Sequence, residues 1–121
     1  MRAPLAPSYP VRLGTAAVAD DALHSIVRGA VATVRGARLE QGGRVSRVIP
    51  GRRQGVGWRV DGGAIRVEVD VAAAYGEPLP ALARGVQRAI SDALTAMTGL
   101  DVRAVDVTVA AVDRPREAAR P

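Results

Sequence analysis

One histidine, a few closely spaced carboxylates and a run of arginines are the groups here with chemistry to offer. His24 is the sole imidazole. A general base needs a positioned partner and a nucleophile to serve. There is no Cys, and the four Ser (8, 25, 46 and 91) suggest no triad with it. His24 is therefore expected at the surface or boundary of a helix. Glu68 and Asp70 stand two residues apart, which puts them on one face of a strand. Paired carboxylates can hold a divalent cation or divide acid–base work. Arg66 shares that face and is expected to pair with Glu68, so a solvated, charge-balanced sheet face is the simpler account. Asp20 and Asp21 suit the capped start of a helix better than a metal pair. No catalytic, metal-binding or cofactor-binding residue is assigned from these groups.

The arginines form the second candidate. All 17 basic residues are Arg. Seven of them (35, 38, 44, 47, 52, 53 and 59) fall between Arg35 and Arg59 with a single acid, Glu40. The other ten are offset by eleven acids, so the net charge of +5 belongs to this segment. A basic segment can meet phosphates, an anionic membrane or an acidic partner. Its Gly51–Gly55 stretch, "GRRQG", lacks the Gly-Lys-Ser/Thr ending of a phosphate loop. A strand is expected to follow it, not the helix that anion binding at a helix terminus requires. Trp58 lies next to it as a stacking platform for single-stranded nucleic acid, or as an anchor for a protein partner. Arg38, Arg44, Arg47, Arg52, Arg53, Trp58 and Arg59 thus form an anion-binding alternative.

Which elements would position these groups? At 121 residues the chain suits one domain that buries its core without disulfide or metal. Phe is absent and aromatics make up 2%, so Val, Leu, Ile and Ala must fill the core. Residues 1–10 hold three Pro and read as an irregular arm. Val11–Asp20 reads as a short strand or extended arm. Leu23, Ile26, Val27, Ala30, Val31 and Val34 then recur at helical steps, with Gly36 able to end the helix. Residues 36–55 read as a long Gly- and Arg-rich loop, which in a compact domain implies function or mobility.

"VGWRV" and "AIRVEVDVAAAY" flank an Asp61-Gly62 turn signal and read as a hairpin. In the second strand Ile65, Val67, Val69, Val71, Ala73 and Tyr75 are expected inward. Arg66, Glu68, Asp70, Ala72 and Ala74 are expected outward. Pro80 suits the first turn of a second helix with Leu82, Val86, Ala89, Ile90, Ala93, Leu94 and Met97 inward. Gly99 is placed for a left-handed stop, with Leu100 folding back on the last turn. An alternating strand follows, with Val105, Val107 and Val109 inward. Residues 113–121 read as a disordered tail. The sum is an α+β two-layer sandwich over residues 11–112. Two helices cover one face of a small mixed sheet of three to four strands, in the order strand or arm, helix, strand, strand, helix, strand.

Residues 75–112 resemble the alkaline shock protein family, also called the envelope stress response family. The resemblance rests on Tyr75-Gly76, Pro80, Val86-Gln87, Met97-Thr98-Gly99-Leu100 and Val105-Asp106-Val107. Residues 15–39 are similar to the family's first helix and its glycine turn, and the resemblance covers about residues 14–112. Asp106 stands where Asn is commoner in the family, and the middle segment is richer in Arg. The resemblance implies a non-enzymatic envelope-stress protein without cofactor. It also implies self-association and a small membrane-anchored protein partner at the cytoplasmic membrane.

The three Pro of the arm interrupt any signal-peptide apolar region, and no apolar run is long enough to span a membrane. A cytoplasmic protein, peripheral at the membrane, is expected. Partner contact is expected on the outward sheet face and last strand, at Ala72, Ala74, Asp106, Thr108 and Ala110. Binding of nucleic acid or anionic lipid through Arg35–Arg59 is the alternative; no small-molecule substrate is expected.

Overall fold

A computed structural model describes residues 11–13, 16–40 and 55–114. Strands β1 (Val11–Leu13) and β2 (Ala16–Val18) pair antiparallel as a small sheet of their own. Helix α1 (Asp20–Ala32) follows, then β3 (Ala37–Leu39), β4 (Val56–Asp61) and β5 (Ala64–Ala73). Helix α2 (Leu79–Thr98) and β6 (Asp101–Val112) complete the domain. The fold is the expected α+β sandwich with a mixed main sheet.

β5 is the centre of that sheet. β6 runs parallel along one edge, because α2 carries the chain back across the sheet before β6 begins. β3 and β4 both run antiparallel to β5 and share its other edge. β3 pairs with residues 71–73 and β4 with residues 64–69. They are therefore collinear pieces of one interrupted strand. At the interruption, Glu40 N–H donates to Asp70 O and Asp70 N–H donates to Gly55 O, both at 2.9 Å. Two residues separated by fourteen in sequence thus share the place of one opposite Asp70. Gly55 has φ +82, and a Cβ there would lie 2.6 Å from the Glu40 carbonyl oxygen. Only glycine fits that junction without strain.

This corrects the expectation of a loop over 36–55. Residues 37–39 are strand, and Glu40 and Gly55 are paired to β5. Residues 41–54 lie outside the described residues. The hairpin turn also shifts by one: Gly62 and Gly63 join β4 to β5, with Gly62 at φ 63.

The core lies between helices and sheet. Leu23, Val27 and Val31 of α1 and Leu82, Val86, Ile90 and Leu94 of α2 meet Val56, Ile65, Val67, Val69 and Val71. The helical stripes pack as their spacing predicts. Gly99 caps α2 at φ 73, its N–H donating to Thr95 O at 3.0 Å. Leu100 turns inward and is buried, so β6 starts immediately beside β5.

Four details differ from the sequence expectation. The N-cap of α1 is Ala19, not Asp20 or Asp21; both acids sit in the first turn, where their charge meets the helix dipole. The helix ends at Ala32 with Thr33 as its C-cap, and Gly36 (φ 84) turns the chain into β3 instead. Tyr75 and Met97 are each 67% exposed rather than inward. They lie beyond the end of β5 and in the last turn of α2, at element ends where the periodicity no longer guarantees a facing layer.

Candidate interaction surface

The potentially catalytic side chains are dispersed by the fold. His24 is 5% exposed and buried beside Leu23 in α1, not at the surface. The reason is position: it adjoins the apolar ridge that meets α2. Asp70 is fully buried, while Glu68 on the same side of β5 is half-buried. Across the β4–β5 register Arg66 stands opposite Arg59, and Glu68 opposite Gly57. The expectation of a solvated carboxylate face is corrected at Asp70, which the fold buries completely. Among the described residues no group of three or more His, Cys, Asp or Glu is placed to hold a metal ion.

The anion-binding set is also divided. Trp58 is 7% exposed; its register partner is Val67, so its ring lies on the helix side and fills the core. It is unavailable for base stacking or for a partner. Arg59 is half-buried. Arg38 is committed: Nη2 donates to Asp113 Oδ1 at 2.8 Å and Nη1 to Glu40 Oε1 at 3.2 Å. The hydrogen bond from Arg38 holds the Asp113 carboxyl below the usual aspartate range, and the same bond raises the Arg38 guanidinium. Arg44, Arg47, Arg52 and Arg53 lie outside the described residues.

The Arg38–Asp113 pair also decides the fate of Ala72. Arg38 stands opposite Ala72 in the β3–β5 register, and Asp113 N–H donates to Ala73 O at 2.8 Å beyond the end of β6. The ion pair thus joins the two edges of the sheet across β5. Ala72 has no exposed surface and cannot be the contact residue the sequence suggested. Ala74 is half-buried, just past the end of β5.

Asp106, Thr108 and Ala110 are exposed, and all three are on β6. Among the described strands, β6 pairs with β5 alone. It is a 12-residue edge strand. From Ala104 to Val112 its only charge is Asp106, and an edge so lightly guarded is a template for an added strand. One helix side chain reaches it: Gln87 Nε2 donates to Val105 O at 3.1 Å. An amide from α2 does there what a neighbouring strand's N–H would do.

Beside this edge α2 and β6 form an open groove of about 430 Å³. Arg84, Gln87, Arg88, Ser91 and Asp92 line it from the helix, and Val102 to Val105 from the strand. The β5–β6 register shifts here, pairing Ile65 with Val102 and Arg66 with Ala104. Arg103 is thus the extra residue of a bulge, and it pairs with Asp101 at 2.5 Å. Arg84, Arg88 and Arg103 were not singled out by the sequence. The available signal was the four-residue step from Arg84 to Arg88 on the polar side of α2.

The family model for alkaline shock proteins, described as having a cell envelope-related function, matches residues 9–114. This chain belongs to the alkaline shock protein family. No curated protein and no solved structure matches it. The match takes in every described element, and the family's description gives the chain a cell envelope-related function. Among the described residues, no helix of the family member is long and apolar enough to cross a membrane.

Proposed function

We propose that this alkaline shock family protein is a non-enzymatic scaffold or adaptor of the envelope stress response. It works at the cytoplasmic side of the membrane by taking a partner chain onto the edge of its main sheet. The observation that carries this reading is β6, twelve residues long and paired along one side only among the described strands. An extended segment laid along such an edge gains a row of backbone hydrogen bonds without any pocket. Asp106, Thr108 and Ala110 are the exposed strand residues it would meet. Self-association is the case in which the added strand is a second β6. Attachment to a small membrane-anchored protein is the case that brings the domain to the envelope.

The test replaces Thr108 and Ala110 with Lys, a residue that blocks edge pairing. Cells producing the wild-type protein should yield it in the envelope fraction. The double variant should melt as wild type does and remain in the supernatant. If it stays with the envelope, and is released instead by salt or by changing Arg44, Arg47, Arg52 and Arg53 to Ser, binding is electrostatic and the edge reading fails.

A further inference from the structure

We infer that the strand accepted by β6 is an extended acidic segment of another protein, gripped by Arg84 and Arg88 of α2. The inference rests on the edge reading above and specifies the chemistry of the occupant.

Arg84 and Arg88 are one helical turn apart, exposed, and in no ion pair among the described residues. Both line the groove between α2 and β6. Its third arginine, Arg103, is drawn toward Asp101 by their ion pair. Among the described residues, Asp92 is the only acid lining the groove. A strand added to β6 would direct every second side chain toward the helix layer. Carboxylates at those positions would meet guanidinium forks suited to two parallel hydrogen bonds. The strand edge thus supplies the backbone bonds, and the helix supplies a preference for acidic side chains.

Charge also decides against the nearer occupants. A second copy docked edge to edge would bring another Arg84 and Arg88 to the same groove. The chain's own arm, residues 1–10, has one Arg and no acid, and residues 113–121 carry three Arg against Asp113 and Glu117. Neither offers the acidic alternation that the groove favours.

The test uses the full-length protein and a short fluorescent peptide of alternating Glu and Val, followed by anisotropy. The wild type should bind it and ignore a Lys–Val peptide. Arg84→Glu with Arg88→Glu should weaken the Glu–Val peptide by about tenfold or more and admit the Lys–Val peptide, with an unchanged melting curve. A Glu–Val peptide N-methylated at alternate residues keeps its charge but loses strand-pairing donors, and should not bind. Wild-type protein that ignores the Glu–Val peptide overturns the proposal. Undiminished binding by the double variant also overturns it; if the N-methylated peptide still fails, the edge reading survives and only the acidic preference is lost. If the N-methylated peptide binds as well, the edge reading falls too.

Discussion

Arg38 Nη2 and Asp113 Oδ1, 75 residues apart in the chain, meet at 2.8 Å and fasten the two edges of the main sheet to each other. The pair makes the chain end after β6 dependent on acid. Asp113 has its folded value lowered by the hydrogen bond from Arg38. Its contribution is therefore present above the unfolded aspartate value, near pH 4, and is lost as pH falls through the lower folded value. Backbone shifts of residues 111–114 should stay constant from neutral pH to about 5 and move below about 4. In Asp113→Asn they should not follow that titration. Identical acid titrations in both proteins would remove the pair from the account.

Gly55→Ala should be among the most damaging small substitutions in the sheet. The new methyl would meet the Glu40 carbonyl at 2.6 Å while the backbone holds φ +82. A destabilisation of about 1–3 kcal/mol is expected, read from urea denaturation. An unchanged midpoint would mean that β3 and β4 do not converge on Asp70.

Gly99→Val should cost less than a substitution at Gly55. Its φ is +73, but a Cβ there has nothing within 4 Å. Only the left-handed backbone is penalised, by about 1–2 kcal/mol. A Gly99→Val protein with unchanged melting would refute the helix stop.

Trp58 is the only tryptophan, so intrinsic fluorescence reports one buried site. Emission should be blue-shifted when folded and move red on unfolding. Single-stranded nucleic acid should leave it unquenched, since the ring is in the core and not on a stacking surface. Trp58→Ala should lower stability by about 3–5 kcal/mol. Red emission from the folded protein would return Trp58 to the surface.

Much of this sandwich could be read from periodicity. Leu23, Val27 and Val31 in α1, and Leu82, Val86, Ile90 and Leu94 in α2, declare their buried stripes by spacing alone. Gly99 declares the stop before β6. β3 was illegible because its three residues, Ala37, Arg38 and Leu39, sit within a stretch whose composition reads as loop. They become strand only because β5 offers a free edge. Alternation assigned Ala72 and Asp70 to the outer face but could not show what lies over it. Ala72 is buried where a side chain from β3 joins a residue beyond β6. The groove was hidden for a related reason. Arg84 and Arg88 belong to α2, and only the packing of that helix on β6 puts them beside the strand.

Glu40 and Gly55, meeting opposite Asp70, bring the two flanks of residues 41–54 together at the sheet. The sheet's pairing does not depend on how long that segment is, and the entropy of closing it grows only slowly with length. Residues 41–54 contain four Arg and no acid, in a chain whose net charge is +5. Four of the chain's positive charges therefore lie on a segment that joins the two halves of one interrupted strand. Replacing those four Arg with neutral residues would take the net charge from +5 to +1 without touching a described strand.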